Sequence, residues 1–118
     1  MRNDNGYFMD VSESAGIYGS VIGFGLGITI GDIDGDNWDD IFISNDFFER
    51  DYLYINQKNG TFKEDLINRI NSISGASMGA DIADIDNNGT NDIFVTEMLP
   101  SDYQRLKSVT TYRIYSIY

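Results

Sequence analysis

The sequence contains no cysteine and no histidine among its 118 residues. Without cysteine, the chain can form no disulfide bond and offers no thiolate ligand to a metal ion. Without histidine, it lacks the most common general base and the usual ligand of transition metals. Catalysis by a Ser-His-Asp or Cys-His arrangement is therefore excluded within this chain. The absence of cysteine does not by itself fix the cellular compartment.

Basic residues and long apolar runs are also scarce. The chain has 8 Lys and Arg against 19 Asp and Glu, which gives a formal net charge of −11 at pH 7. Such a chain lacks the basic patch that nucleic acid or an anionic membrane surface requires. No apolar run approaches the roughly 18 residues of a membrane span, and residues 1–5 lack the apolar segment of a signal peptide. We therefore expect neither nucleic-acid binding nor membrane insertion.

The acidic residues are concentrated in two loops that share one pattern. The first acidic loop, residues 32–40, reads DIDGDNWDD, and the second acidic loop, residues 84–92, reads DIDNNGTND. Each loop places oxygen-bearing side chains at its positions 1, 3, 5 and 9, and an apolar, β-type run follows at once. Two such loops, 52 positions apart, indicate a chain built from repeats that each hold a cation.

The spacing predicts calcium, because calcium takes roughly 6–8 oxygen ligands, mostly carboxylates and carbonyls. Alternating acids in a tight loop direct their carboxylates at one centre, and position 7 adds a backbone carbonyl. The predicted ligands of the two Ca²⁺ ions are Asp32, Asp34, Asp36, the Trp38 carbonyl and Asp40 in the first loop, and Asp84, Asp86, Asn88, the Thr90 carbonyl and Asp92 in the second. Because Asn88 replaces the acid Asp36, we expect the second site to bind calcium more weakly. Gly35 and residues 87–89 are expected to supply the positive φ angles of the turns.

Two alternatives compete with a calcium loop of this kind. An EF-hand requires glycine at position 6, where the first loop has Asn37, and a glutamate at position 12, where the loops have Ile43 and Val95. It also requires flanking helices, whereas β-formers follow both loops. A solvated acidic turn is the second alternative, but such a turn does not need oxygens at positions 1, 3, 5 and 9 in two places.

The loops belong to a longer internal repeat. Residues 23–45 align with residues 75–97 without gaps, with nine identities in 23 positions that include Gly27 with Gly79 and Phe42 with Phe94. A period near 50 residues is typical of a propeller or an array. The strands predicted in one period span residues 25–33, 41–45, 52–56 and 61–64, with an Asn-Gly hairpin turn at Lys58–Thr61 and a short helix or turn at residues 65–70. Four consecutive antiparallel strands make one blade of a β-propeller.

The predicted fold class is therefore all-β, with about two four-stranded blades and calcium-binding loops. Residues 1–22 are assigned to the end of a preceding blade and a linker, residues 23–74 to the first repeat and residues 75–100 to a partial second repeat. Residues 101–118 are assigned to a short helix within Ser101–Lys107 and a truncated strand within Tyr112–Tyr118. A closed propeller takes roughly 4–8 blades. We therefore expect the chain to be part of a longer protein in which Met1 need not be the native start.

These residues resemble the FG-GAP/VCBS repeats of integrin-α-type propellers. The resemblance covers about residues 6–97 and is carried by Gly23-Phe24-Gly25-Leu26-Gly27, the two acidic loops, Leu53-Tyr54-Ile55-Asn56 and Asn59-Gly60-Thr61-Phe62. More narrowly, Phe8-Met9-Asp10-Val11-Ser12-Glu13-Ser14-Ala15-Gly16-Ile17 is similar to a junction of bacterial ASPIC/UnbV-type VCBS proteins. The resemblance implies a roughly seven-bladed propeller in a secreted, cell-surface or periplasmic protein.

Three functions follow as hypotheses. The first is a calcium-stabilised module that binds or adheres to a protein or carbohydrate ligand, and the second is a pure scaffold for further blades of the same parent chain. The third is an enzyme that acts on polysaccharide, for which the candidate acids outside the loops are Glu13, Asp46, Glu49, Asp51, Glu64 and Glu97. We favour a non-enzymatic role, because acids at strand ends are commonly no more than solvated. The exposed aromatic Trp38 is a candidate ligand contact.

Overall fold

The computed structural model of the chain describes residues 1–46, 49–98 and 112–116. Within these ranges it confirms an all-β fold, with three antiparallel sheets and one short helix. The elements are β1 (Arg2–Asp4), β2 (Tyr7–Met9), β3 (Phe24–Gly31), β4 (Asp40–Asp46), β5 (Tyr52–Asn56), β6 (Phe62–Glu64), α1 (Leu66–Arg69), β7 (Ser77–Ala83), β8 (Asp92–Glu97) and β9 (Tyr112–Ser116). Strands β1 and β2 form the N-terminal hairpin, β3 to β6 the central sheet, and β7 to β9 the C-terminal sheet.

The central sheet is the predicted blade. Its four strands lie in chain order, β3-β4-β5-β6, and each pairs antiparallel with the next. The β5–β6 hairpin is confirmed, but its turn differs from the predicted Asn-Gly turn. Positive φ angles occur at Lys58 and Gly60, not at Asn59, and the Gln57 N–H donates to the Thr61 carbonyl across a wider loop. The short helix predicted after β6 is present as α1.

The C-terminal sheet repeats the geometry of the central sheet. Strands β7 and β8 pair as β3 and β4 do, shifted by 52 residues: Gly27 lies opposite Ser44, and Gly79 lies opposite Thr96. Both pairs have a register irregularity just before that glycine, between Gly25 and Gly27 and between Ser77 and Gly79. The predicted internal repeat is therefore a structural one.

The C-terminal sheet obtains its third strand from the end of the chain. Strand β9 pairs with β8 along its length, from Asp92 opposite Ser116 to Thr96 opposite Tyr112. The predicted C-terminal strand is thus part of the second sheet. The helix predicted within Ser101–Lys107 lies outside the described residues.

The two larger sheets pack face to face around the main apolar cluster. Phe42 and Leu53 of the central sheet and Ile93 and Val95 of the C-terminal sheet are fully buried in it. Burying each such side chain contributes roughly 1.5–3 kcal/mol. The innermost strands approach closely at Gly27, where an added Cβ would lie 3.4 Å from the Gly79 Cα. The glycine at position 27 thus lies where the backbones of the two sheets come close together.

The N-terminal hairpin has a two-residue turn, with φ angles of 52° at Asn5 and 91° at Gly6. Positive φ at both positions matches the type I′ turn that Asn-Gly favours. The segment that follows it covers β6, the edge strand of the central sheet, where the Phe62 N–H donates to the Ala15 carbonyl at 2.8 Å. On the neighbouring strand β5, the Tyr54 hydroxyl donates to the Tyr18 carbonyl at 3.1 Å. Gly16 lies so close to this edge that a Cβ would lie 2.6 Å from the Phe62 carbonyl oxygen. In the described part of the chain, no helix has the length and apolar character needed to cross a membrane.

Candidate metal centres

Each acidic loop turns through positive φ angles at its positions 4 and 6. In the first loop these residues are Gly35 (75°) and Asn37 (67°), and in the second they are Asn87 (59°) and Gly89 (89°). Glycine and asparagine tolerate this conformation at low cost. Gly35, Asn87 and Gly89 confirm the sequence prediction, but Asn88 was predicted wrongly, and Asn37 was not identified from sequence.

The carboxylate at position 1 holds the turn. Asp32 accepts the backbone N–H groups of Asp36 and Asn37 at 2.9 and 2.8 Å, one on each oxygen. Asp84 accepts those of Asn88 and Gly89 in the same way, both at 2.9 Å. The same positions are therefore bonded in both loops, which makes the loops two copies of one turn.

The carboxylate at position 9 lies at the start of the strand that follows and is buried. Asp40 begins β4 and accepts the N–H groups of Ile33 at 3.0 Å and of Asn56 at 2.8 Å. Burial raises the pKa of Asp40 above its ordinary value against the lowering effect of these two hydrogen bonds. Asp92 begins β8, is equally buried and accepts the N–H of Ile85 at 3.1 Å.

The carboxylates at positions 1, 3 and 9 converge in both loops. Three oxygens, one from each residue, lie within 4.8 Å of one another in each set; the sets are Asp32, Asp34 and Asp40, and Asp84, Asp86 and Asp92. We call these sets the first and second acid triads. Oxygens that share one Ca²⁺ at roughly 2.3–2.6 Å can be at most about 5 Å apart. The convergence of six of the ten predicted ligands therefore fits a cation of this size in each loop.

Each triad also contains a buried oxygen that has no hydrogen-bond partner in the described part of the chain. These atoms are Asp34 Oδ1 in the first triad and Asp92 Oδ1 in the second. A buried carboxylate oxygen without a partner is costly, so such atoms are rare unless an ion or a water satisfies them. The donor set and these two atoms fit a bound divalent cation.

The predicted ligands at positions 5 and 7 have other partners. Asp36 accepts the Trp38 N–H at 2.9 Å and forms an ion pair with Lys58 at 3.0 Å, and the ion pair lowers the pKa of Asp36. In the second loop, Asn88 Oδ1 accepts the N–H of Thr90 at 2.8 Å. The structure therefore does not place either residue in a triad, and the carbonyls of Trp38 and Thr90 remain predicted ligands.

Two basic side chains beside the first loop were not identified from sequence. Lys58 reaches it from the β5–β6 turn, and Arg69 of α1 lies 3.3 Å from Asp34 Oδ2. Arg69 is held in place by Asp65, which its Nε meets at 3.1 Å. Neither contact follows from local spacing, because Lys58 and Arg69 are distant from the loop in sequence.

The two loops border a common cleft of about 570 Å³. It is lined by residues of both loops and by Arg69. The side-chain amide of Asn91 donates to the Asp32 carbonyl at 2.6 Å and so joins the second loop to the first. The two acidic loops are therefore neighbours, and the hydrogen bond of Asn91 connects them.

Two of the acids considered for catalysis have structural partners. Glu64 forms a bidentate ion pair with Arg50 at 2.6 and 2.9 Å, and this pair, against the opposing effect of burial, lowers its pKa. Asp51 is almost fully buried between the sheets and accepts the Asn45 N–H and the Ser77 hydroxyl, at 2.8 and 2.7 Å. Neither carboxylate lines the cleft described above.

Comparison with protein families finds a match on these same residues. The model of the FG-GAP-like repeat matches residues 32–95, which is slightly more than half of the chain and runs from the first acidic loop to β8. No curated protein matches the chain.

Proposed function

The chain belongs to the FG-GAP-like repeat family, and on that premise we propose that it is a calcium-binding segment of a β-propeller. Each acid triad would hold one Ca²⁺, so that the chain carries two ions. The proposal rests above all on the two triads, which lie at the same positions of two repeats and each contain a buried oxygen without a hydrogen-bond partner among the described residues.

The role that the geometry supports is structural. A bound Ca²⁺ supplies two positive charges, which offset the repulsion among three carboxylates held within a few ångströms. The carboxylates whose repulsion the ion would offset lie between the first and second strands of each blade, and they include Asp40 and Asp92 at the start of the second strands. Calcium would therefore stabilise the β3–β4 and β7–β8 hairpins, while the hydrogen bonds of Asp32 and Asp84 fix the loop backbone.

An extracellular, cell-surface or periplasmic location fits this role. Calcium modules outside the cell bind at about 10⁻⁴–10⁻³ M, so millimolar calcium would occupy them to a large extent. In that setting the segment would serve ligand binding or adhesion, or act as a scaffold for other parts of a propeller. The side chain of Trp38, which is half exposed in the first loop, is a candidate contact for a protein or carbohydrate ligand.

Thermal unfolding in calcium, in magnesium and in chelator tests the proposal. We expect calcium to raise the melting temperature more than magnesium, which prefers few protein ligands and retains its waters. The double variant Asp34→Asn/Asp86→Asn should lose this response. Asp39→Asn is the matched control, because Asp39 is an exposed acid of the first loop outside its triad. An equal response to calcium in the wild type and the double variant would refute the proposal.

A further inference from the structure

The sequence contains three Asn-Gly pairs, and all three lie in exposed turns. They are Asn5-Gly6 in the N-terminal hairpin, Asn59-Gly60 in the β5–β6 turn and Asn88-Gly89 in the second acidic loop. Such a pair can modify itself, because the backbone nitrogen of an unhindered glycine can attack Cγ of the asparagine amide. In a folded chain the reaction is favoured by donors that polarise the amide oxygen and by a glycine N–H that is free to lose its proton.

Two of the three asparagines have an amide oxygen that two donors already hold. Asn59 Oδ1 accepts the backbone N–H of Thr61 at 3.0 Å and its hydroxyl at 2.7 Å. Asn88 Oδ1 accepts the same two groups of Thr90, the N–H at 2.8 Å. These bonds fold each side chain back over the peptide of the intervening glycine, and the donors lie where negative charge would develop during attack on Cγ. In the described part of the chain, the amide oxygen of Asn5 has no such donor.

The glycine nitrogen distinguishes the three pairs further. The Gly89 N–H donates to Asp84 Oδ2 at 2.9 Å, and this bond to a charged acceptor must break before the nitrogen can attack. The Gly6 N–H donates to Asn3 Oδ1 at 2.9 Å. The Gly60 N–H has no hydrogen-bond partner among the described residues, and a Cβ added there would have no atom within 4 Å. The pair in the β5–β6 turn therefore combines a polarised amide with an available nitrogen.

We propose that Asn59 is a site of spontaneous modification, at which the folded chain converts its own asparagine to aspartate or isoaspartate. The Gly60 nitrogen loses its proton to solvent and forms a bond to Asn59 Cγ. The Cγ–Nδ2 bond then breaks, and the amide nitrogen takes up a proton and leaves as ammonia. Water opens the resulting cyclic imide at either of its two carbonyl carbons. Opening at Cγ gives aspartate, and opening at the main-chain carbon gives isoaspartate, in which the backbone runs through Cβ.

The product carries a negative charge that the turn did not have before. Asn59 follows Lys58, whose ammonium group pairs with Asp36 of the first acidic loop at 3.0 Å. An aspartate at this position can still accept both donors of Thr61, because a carboxylate oxygen replaces the amide oxygen. The aspartate product should therefore keep the turn, whereas isoaspartate lengthens the backbone and should disturb it. The proposal does not depend on calcium binding.

Mass spectrometry of the full chain, incubated with chelator in mildly alkaline buffer and then digested, tests the proposal. In the folded chain we expect Asn59 to react at least about tenfold faster than Asn88, the value of one hydrogen bond to a charged acceptor. In guanidinium chloride the two rates should converge, because both sequences read Asn-Gly-Thr. The denatured chain is thus the control for the folded one. A folded chain in which Asn88 reacts as fast as Asn59, or in which neither reacts, would overturn the proposal.

Two variants separate the geometry of the turn from its exposure. Thr61→Val removes the hydroxyl donor to Asn59 Oδ1 but keeps the backbone N–H and the shape of the side chain. It should slow the reaction of the folded chain about two- to tenfold and leave the rate in denaturant unchanged. Asn59→Gln should abolish the reaction at this position, because glutamine forms its larger cyclic imide far more slowly. An unchanged folded rate for Thr61→Val, or equal slowing in both states, would overturn the role of the turn.

Discussion

The first acidic loop is contacted by residues of the β5–β6 hairpin and of α1, whereas the second is exposed from Asp84 to Thr90. The turns themselves are the same, with positive φ at positions 4 and 6 and the same N–H groups bonded to position 1. What differs is the surroundings: Asn56, Lys58 and Arg69 contact acids of the first loop. Local sequence therefore determines the shape of each loop, and the rest of the fold determines its charge balance.

The largest expected difference between the loops concerns position 9. Asp40→Ala would leave two backbone N–H groups without an acceptor, those of Ile33 and Asn56, whereas Asp92→Ala would leave only that of Ile85. At about 1–3 kcal/mol for a buried group left unsatisfied, we expect a loss of about 4 kcal/mol at Asp40. The loss at Asp92 should be less than about 2 kcal/mol, because Ile85 is half exposed. Urea unfolding in chelator measures both losses without a contribution from calcium. Equal losses would show that Asn56 adds nothing to the first loop.

A slightly smaller effect is expected at Asp51, which only the central repeat carries; the 52-residue shift leads to Tyr103. Burial raises the pKa of Asp51 from 3.8 to about 6, and Glu97 acts in the same direction. Because the folded state binds this proton more tightly, the associated stability is fully present below pH 3.8 and is lost as the pH rises through about 6. Two pKa units correspond to about 3 kcal/mol.

Asp51→Asn should therefore stabilise the chain by about 3 kcal/mol at pH 7.5 and by almost nothing at pH 3.5. The asparagine can still accept the Asn45 N–H and can donate to the Ser77 hydroxyl, so both existing contacts have a replacement. Denaturant unfolding at a series of pH values gives the profile. Asp39→Asn, at an exposed acid, serves as the control with little change expected. A gain at Asp51→Asn that is the same at both pH values would contradict burial of the charge as its cause.

Calcium removal is expected to have a smaller effect. For sites that bind at about 10⁻⁴–10⁻³ M, millimolar calcium stabilises by roughly 0.4–1.4 kcal/mol per site. Asp34→Asn should remove the contribution of the first site and Asp86→Asn that of the second, as measured by unfolding with and without chelator. The missing acid at Asn88 predicts a smaller contribution from the second site. The positive charges of Lys58 and Arg69 beside the first loop should weaken calcium binding there. A comparison of the two single variants shows which of the two effects is larger.

The sequence alone predicts those features of the two loops that depend on residues close together in the chain. The 52-residue shift predicts the register of β7 with β8, and the spacing of acids predicts both triads, because each of these features depends on residues within one loop or hairpin. The contacts of Asp36 and Asp34 with Lys58 and Arg69 depend on the packing of the β5–β6 turn and α1 against the loop. The alternation of oxygens within the loop predicts Asp36 as a ligand, but in the structure Asp36 pairs with Lys58. The sequence of the loop alone could not predict this, because Lys58 lies outside it.

The smallest expected effect is a change in the calcium affinity of the first site when one of the two neighbouring basic side chains is removed. Lys58→Met removes the positive charge that pairs with Asp36, and the freed carboxylate can then turn to a bound cation. Since ion pairs of this exposure contribute about 0.2–1 kcal/mol, we expect the first site to bind calcium up to about fivefold more tightly. Trp38 is the single tryptophan of the sequence and lies in the first loop, so tryptophan fluorescence reports selectively on calcium binding at that site.

Arg2→Met is the control for this titration, because Arg2 forms an exposed ion pair, 3.7 Å from Asp4 in the N-terminal hairpin, away from the acidic loops. It should leave the calcium affinity of the first site unchanged. If Lys58→Met also leaves that affinity unchanged, Asp36 is not a ligand, and the triad supplies all the carboxylate ligands of the first site. The two loops would then hold calcium with the same three carboxylates, and the difference between Asp36 and Asn88 would have no bearing on calcium binding.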